Sequence, residues 1–478
     1  MSGHKLTVYE LAGGINEGAI ALAEISEAVS RLCTTAQKKY NCFVNFEAGV
    51  ITRERERIAA RMEEGEKPPL AGVPFALADN VCTSEIKTTC ASRMLASYQP
   101  LTEEGAARRL KDKGALLAGK TNMDEFSIGA SGENSFFGAV KNPRDTKHSA
   151  GSGAAAAVSC GAVALALATD RWGELRQAAS YCGVMGIKPT YGRISRQGLI
   201  DSAPSLEQAG IIAAKTLDLA AALEAVSGPD PQDPTSAHAD VPAYATLPAE
   251  NLHPLKVAVP ENWAASPYLE EEVRDVFTAV LQGLAKNICP VETVAMPYSQ
   301  YSHTTAAIIS AVEAFSNLSN YDGIRFGFRG ESKHLQDMYR QTRTEGFGSA
   351  LKQFLTFGAL VSAGKYYDQY FLKAQKMRTL IKQELEDCLQ QYDLIVVPTT
   401  PFTVPLLGNG NVSLLPDPAA YYTAAANLAG LPALTFPLQT PGQTGGMPAA
   451  GLQLIGKSWD EKLLLQVALL LEKENPLN

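Results

Sequence analysis

A short stretch around Glu174 concentrates the side chains that could do chemistry. It follows Asp170 and Arg171 by four and three residues and precedes Arg176 by two. A carboxylate in such a setting could act as a general acid or base. It could equally be a structural group, paired with Arg171, with Arg176 or with the N-terminus of a helix. Residue type and spacing leave both interpretations open.

Two thiols and one imidazole are further candidates. Cys160 and Cys182 could be nucleophiles, and His148 could be a base. Cys160 lies in an alanine-rich stretch that we expect to be a buried helix, and no histidine stands next to it to activate the thiol. A lone histidine in a loop is more often solvated than catalytic. We therefore expect structural thiols and a solvated His148.

The composition and charge of the chain argue against several classes of function. The chain has 478 residues, of which 46% are hydrophobic and 19% charged, so it can bury a large core. Its net charge of −8 makes direct nucleic-acid binding unexpected. The cysteines form no C-x-x-C pair and the histidines no H-x-x-x-H pair, so we expect no metal site. The glycine-rich stretch 129–138 lacks the lysine of a phosphate-binding loop, and no cofactor is expected.

The distribution of cysteines and of apolar residues indicates the cellular compartment that we expect for the protein. The thiols are dispersed, with no disulfide framework. The first residues show no secretory-signal pattern, and the longest run of small apolar residues, 153–168, is too short to span a bilayer. We expect a cytoplasmic protein with no membrane partner.

Hydrophobic periodicity predicts the elements that position these residues. Helical spacing is expected over 5–65, 216–228, 268–286, 366–391 and 461–474. Short apolar runs predict strands at 73–78, 115–118, 163–168, 255–259 and 394–397. Their alternation with helical segments predicts an α/β layer structure.

The predicted helices and strands divide one long domain, 1–478, into four parts. They are an N-terminal helical part (1–68), a core (69–260), a helical insertion (263–391) and a C-terminal return to the core (392–478). The boundaries follow helix-breaking prolines and a loop rich in Pro, Asp and Ser.

Six ordered segments resemble the amidase signature family, and most of all its branch of aminoacyl-tRNA amidotransferase A subunits. They are LAGVPFALADN (70–80), GKTNMDEFSIGASGENSFFGAVKNP (119–143), GSGAAAAVSCG (151–161), TDRWGELRQAASYCGVMGIKPTYGRISRQGLI (169–200), YYDQYFLKAQKMR (366–378) and NLAGLPALTFPL (427–438). The resemblance implies an α/β fold with a central, mixed, mostly parallel sheet flanked by helices.

The resemblance also implies a Ser–Ser–Lys catalytic triad, and this chain departs from it. The family lysine precedes Asp79-Asn80, where this chain has Ala78. The nucleophilic serine position is Glu174, and at the family's spacing the bridging serine position is Ala150. The triad is therefore degenerate at all three positions. Losing one member of such a unit removes most of the catalysis.

The surroundings of the triad depart as well. Trp172 and Gly173 stand where the family has two glycines, so an indole would occupy part of the oxyanion turn. The loop 144–153 is shortened, and Ser149 and Ser152 lie near the bridging position without the family's spacing.

Two positions that the resemblance assigns to glutamine recognition carry other side chains. Gln353 stands where an arginine would hold the substrate carboxylate, and Ala420 where an acid would hold its amine. Neither replacement offers the same recognition.

Three hypotheses follow. The leading one is a pseudoenzyme, a non-catalytic paralogue of an amidotransferase A subunit that acts through B-like and C-like subunits or as a homodimer. The second is an enzyme of changed chemistry in the old pocket, using Glu174, Asp170 or His148. The third is a working glutamine-hydrolysing subunit whose triad is replaced from elsewhere in the fold. A pocket plugged by Trp172 would favour the first.

Overall fold

The computed structural model describes residues 7–246, 255–264, 266, 268–287, 289–408, 418–438, 446–448 and 450–474, and within them eleven strands form one sheet. In chain order the strands are β1 (Phe43–Asn45), β2 (Pro74–Ala78), β3 (Leu116–Thr121), β4 (Leu165–Asp170), β5 (Met185–Lys188), β6 (Gln208–Ala213), β7 (Val257–Pro260), β8 (Val291–Val294), β9 (Leu394–Pro398), β10 (Ala433–Leu438) and β11 (Ala450–Ile455). Across the sheet the order is β1-β3-β2-β4-β6-β5-β10-β11-β9-β7-β8.

Helices flank this sheet. They are α1 (Val8–Asn16), α2 (Leu22–Tyr40), α3 (Ala48–Glu63), α4 (Gly105–Asp112), α5 (Gly153–Ser159), α6 (Glu174–Cys182), α7 (Thr216–Val226), α8 (Glu261–Ala264), α9 (Glu271–Asn287), α10 (Ser302–Leu318), α11 (Leu335–Gly346), α12 (Ser349–Ser362), α13 (Leu372–Gln391), α14 (Ala424–Ala429) and α15 (Glu461–Glu474). A π-helical turn, Tyr367–Phe371, leads into α13. Because helices cover both faces, the central strands are buried at every residue.

The expected mixed α/β sheet is confirmed, but the expectation that it is mostly parallel is wrong. Of the ten strand pairs among the described residues, β2–β3, β2–β4, β7–β8 and β7–β9 are parallel, and the other six are antiparallel. A strand that is buried on both faces is apolar throughout whichever way its neighbour runs, so the sequence pattern carries no direction. Parallel neighbours need a crossover, and no helix separates β5 from β6.

Most predicted elements are confirmed with shifts of a few residues. The predicted helix at 461–474 is α15, and the strand at 394–397 is the start of β9. The N-terminal helical stretch is divided into α1, α2 and α3, with β1 between the last two. The segment 263–391, expected to be helical, also contributes β8 to the edge of the sheet.

No helix in the described part of the chain is both long and apolar enough to cross a lipid bilayer.

Candidate functional site

The turn between β4 and α6 carries the side chains that the sequence singled out. β4 ends at Asp170 and α6 begins at Glu174. Gly173 between them has φ of +127°, and a Cβ there would lie 2.1 Å from Thr423 Oγ1. Only glycine fits this position, because both its backbone conformation and its closeness to Thr423 exclude a side chain.

The Glu174 side chain folds back over the loop between β4 and α6. One oxygen of its carboxylate accepts hydrogen bonds from the backbone N–H groups of Arg171 and Trp172, at 2.8 and 2.9 Å. The other oxygen lies 3.0 Å from Nη2 of the buried Arg171 guanidinium. Burial raises the pKa of Glu174, and Arg171 opposes that shift. The backbone donors that could stabilise an oxyanion at this turn are therefore occupied by the chain's own carboxylate.

Asp170 belongs to a separate buried ion pair. Its two oxygens accept hydrogen bonds from Nε and Nη2 of Arg176, both at 2.9 Å, and Asn427 Nδ2 donates to it at 2.8 Å. Burial alone would raise the pKa of Asp170, but Arg176 and these hydrogen bonds lower it overall. A carboxylate held in this way stays charged and fully engaged, and it is a poor general base.

Trp172 fills the space beside the turn. Its side chain is 1% exposed, and its ring meets that of Phe354 edge to face, with 5.9 Å between centroids. The Arg171 guanidinium carbon lies 4.1 Å from the centroid of the indole ring. Gln353, next to Phe354 on α12, is exposed. The Arg171 cation and the rings of Trp172 and Phe354 thus pack together beside the turn.

A small cavity marks what remains of the pocket. Ala78, Ser152 and Glu174 all line it, so the structure brings these three predicted positions together. The cavity has a volume of only about 30 Å³. That volume holds one or two water molecules.

The remaining predicted positions lie away from this cavity. Ala150 is fully buried, and its carbonyl oxygen accepts a hydrogen bond from Cys182 Sγ at 3.4 Å. Cys160 follows the last residue of α5 and is partly buried. Burial raises the pKa of the Cys160 and Cys182 thiols, so neither is activated as a nucleophile. Ala420 is buried in the helical turn Pro418–Tyr421.

The hydroxyl and imidazole groups of the shortened loop serve as local caps. Ser152 Oγ accepts a hydrogen bond from Ala155 N at the start of α5. Ser149 Oγ donates to the Ser131 carbonyl oxygen and accepts from Gly151 N. His148 is partly exposed, with Nδ1 3.2 Å from an Asp145 carboxylate oxygen. These contacts form no pair of nucleophile and base.

Two buried lysines, Lys120 and Lys188, could serve as bases in the folded chain, and sequence patterns did not single them out. Lys120 Nζ donates to Thr88 Oγ1 at 3.0 Å and to the Val81 carbonyl oxygen. Lys188 Nζ donates to the Pro189 carbonyl oxygen at 2.9 Å, and burial lowers its pKa to about 7. Neither side chain lines the cavity beside Ala78.

Glu207 was also missed. It accepts hydrogen bonds from Asn80 Nδ2 at 3.2 Å and from Ser202 N at 3.0 Å, while Asn80 also donates to Thr169 Oγ1. Burial raises the pKa of Glu207 to about 7. Glu207 lies far from Asn80 in sequence and belongs to no motif, so only the fold could reveal this network. Among the described residues, no three His, Cys, Asp or Glu side chains are placed to hold a metal ion.

The fold and this site agree with the comparisons with known proteins. The family described as Amidase matches residues 24–465, and the chain belongs to that family. It is 38% identical over 472 residues to the A subunit of Glutamyl-tRNA(Gln) amidotransferase from Geobacillus thermodenitrificans, covering 97% of this chain and 96% of that one. It is 39% identical to the corresponding protein of Moorella thermoacetica, covering 98% and 96%.

A solved structure is similar over the same length. The A subunit of Glutamyl-tRNA(Gln) amidotransferase from Thermotoga maritima superposes with a TM-score of 0.80 at 32% identity, covering 100% of this chain and 96% of that chain. The resemblance of the six sequence segments to this family is thereby confirmed.

Proposed function

We propose that this protein is a non-catalytic counterpart of an amidotransferase A subunit, which acts through contacts with B-like and C-like subunits. One observation carries the proposal above the others. The Glu174 carboxylate stands where the resemblance places the nucleophile, and it accepts the Arg171 and Trp172 backbone hydrogen bonds itself. The same residue therefore lacks the attacking hydroxyl and blocks the donors that would stabilise the product of attack.

The size of the remaining cavity supports the same proposal. The cavity between Ala78, Ser152 and Glu174 has a volume of about 30 Å³, and the buried rings of Trp172 and Phe354 pack together beside the same turn. Glutamine is several times larger than a water molecule and does not fit this cavity. An enzyme of changed chemistry would need room for a substrate here, so the small cavity favours a role without substrate.

The names of the relatives support the proposal that the partners of this chain are other amidotransferase subunits. Each relative is named as one lettered subunit of an amidotransferase, and is therefore one chain of an assembly. A chain with this fold and a degenerate triad still presents the surface through which such a chain assembles. We therefore propose one B-like and one C-like partner, with a buried area of at least about 1,000 Å² in total for a stable contact.

Serine-directed labelling tests the loss of catalysis. The purified chain should remain unlabelled by a fluorophosphonate, because the position of the nucleophile holds a carboxylate and that of the lysine an alanine. The triple variant Ala78→Lys, Ala150→Ser, Glu174→Ser should gain little, because the shortened 144–153 loop and Trp172 keep the wrong geometry and about 1 Å of misplacement can cost about 100-fold. The Geobacillus thermodenitrificans relative serves as the labelled control. Stoichiometric labelling of the unmodified chain would overturn the proposal.

Co-expression tests the partner class separately. The B-like and C-like subunits encoded in the same genome should co-elute with this chain at a fixed stoichiometry. Elution of this chain apart from both of them would refute the partner part of the proposal and leave the loss of catalysis standing.

A further inference from the structure

One face of α13 is exposed along its whole length and carries charge unevenly. Leu372, Lys373, Lys376, Leu380 and Asp387 are exposed, and at about 100° per residue they fall within about 100° of the helix circumference, so they form a single stripe. The half of this stripe before Leu380 is basic, and the half after it is acidic. Among the described residues, Lys373, Lys376 and Asp387 have no ion-pair partner.

A groove adjoins the acidic half of the stripe. Its volume is about 420 Å³, and it lies between the acidic half of α13 and the segment that follows β8. Its walls combine apolar groups, such as Met296 and Cys388, with the carboxylates of Glu384 and Asp387. No lysine or arginine lines it. The groove therefore suits an apolar side chain accompanied by a positive charge.

The basic half of α13 has the complementary chemistry. If two copies of α13 lie antiparallel with Leu380 on the two-fold axis, a residue a given number of positions before Leu380 faces the residue the same number after it. Lys373 then faces Asp387. Lys376 comes to the level of Glu384, whose carboxylate also accepts hydrogen bonds from the backbone N–H groups of Tyr298 and Ser299 at 2.9 and 2.8 Å. Leu372, which is 38% exposed, comes to the level of Cys388 at each end of the contact.

We propose that the protein forms a two-fold dimer in which α13 of one copy packs antiparallel on α13 of the other. A two-fold interface must be self-complementary, and this stripe meets that requirement, because every contact occurs twice. It places a leucine on the axis, opposite charges on each side of it and an apolar side chain at each end. The inference does not depend on the loss of catalysis, since α13 lies outside the site around Glu174.

The interface is small. A helix of 20 residues is about 30 Å long and about 10–12 Å wide, so the two helices alone bury on the order of 700 Å². Exposed rings beside the stripe, among them Tyr298, Tyr301, Tyr367 and Tyr370, extend the contact. An interface at the low end of the stable range corresponds to a dissociation constant that is micromolar rather than nanomolar.

Sedimentation of the full chain over a concentration series tests the proposal. The unmodified chain should pass from a monomer of 51.0 kDa to a dimer as its concentration rises. Lys373→Asp or Asp387→Lys alone should raise the dissociation constant by about tenfold or more, because each places like charges opposite one another at both ends of the interface. The double variant Lys373→Asp, Asp387→Lys restores opposite charges and should recover dimerisation.

Lys382→Asp is the matched control. It makes the same charge change on the same helix, but Lys382 lies off the stripe and pairs with Glu386 at 3.7 Å. Its dimerisation should match that of the unmodified chain. A chain that stays monomeric up to about 100 μM, well above a micromolar dissociation constant, would overturn the proposal. A dimer that both single variants leave intact would also overturn it, since another face would then be responsible.

Discussion

At the scale of single residues, the contacts of Glu174 characterise the candidate site. Its carboxylate caps the turn before α6 and neutralises the buried Arg171 guanidinium. Both tasks are structural. A serine hydroxyl at this position could accept a hydrogen bond from the backbone, but it is shorter and carries no charge, so it could not neutralise Arg171.

The stability of Glu174 variants should show this structural role. Glu174→Ala leaves Arg171 buried without its partner and two N–H groups without an acceptor, so we expect a loss of about 3–5 kcal/mol in the free energy of unfolding. Glu174→Gln keeps an acceptor for the N–H groups and should lose about half as much or less. Chemical denaturation measures both. A gain in stability on Glu174→Ala would contradict this account, because relief of strain on mutation is typical of catalytic groups.

The proposed loss of the triad rests on positions that can be read from the sequence, whereas the network around them could not be predicted from it. Ala78 and Glu174 each stand inside a stretch whose flanking residues fix the alignment. Burial shifts the pKa values of Glu207 and Lys188 strongly. The burial of a single charged side chain depends on the whole fold and cannot be predicted from the neighbouring residues in the sequence. The sequence also left open whether Glu174 pairs with Arg171 or Arg176, and only the turn geometry assigns it to Arg171.

At the scale of elements, the turn between β4 and α6 depends on α12 to close it. Trp172 contributes the ring, and Phe354 on α12 meets it edge to face. The sequence pointed to Gln353 as the position of interest on α12, yet Gln353 is exposed and its neighbour reaches the site. A shift of one residue on a helix rotates the side chain by about 100°, so alignment of a variable segment cannot fix which residue points inward.

Removing the indole should therefore open the site. Trp172→Ala deletes a side chain that is 1% exposed, and we expect a loss of about 3–5 kcal/mol in the free energy of unfolding. Trp459→Ala is the control, because Trp459 is 37% exposed and should cost much less. Denaturation in the presence of indole should restore part of the stability of the first variant alone. Equal losses for the two variants would show that Trp172 does not plug a packed site.

At the scale of the whole molecule, the elements could be predicted from periodicity, but their arrangement in the sheet could not. Helices such as α7 and α15 and strands such as β2 and β9 follow from their hydrophobic spacing. Strand direction does not, because the core strands are apolar on both faces. The α/β class followed from the alternation of strand and helix segments, and the amidase fold within that class from the resemblance of ordered segments, which the Amidase family match confirms.

Ammonia released from glutamine by the purified full chain tests the central claim most directly. The assay is run on the chain alone and mixed with its B-like and C-like subunits, beside the Geobacillus thermodenitrificans relative as the active control. Because the proposal places Glu174 at the nucleophile position, and its carboxylate accepts hydrogen bonds from two backbone N–H groups of the turn, we predict a rate equal to that of a blank without protein. A glutamine-dependent release above the blank that disappears in Glu174→Gln would contradict the account and make Glu174 a catalytic group.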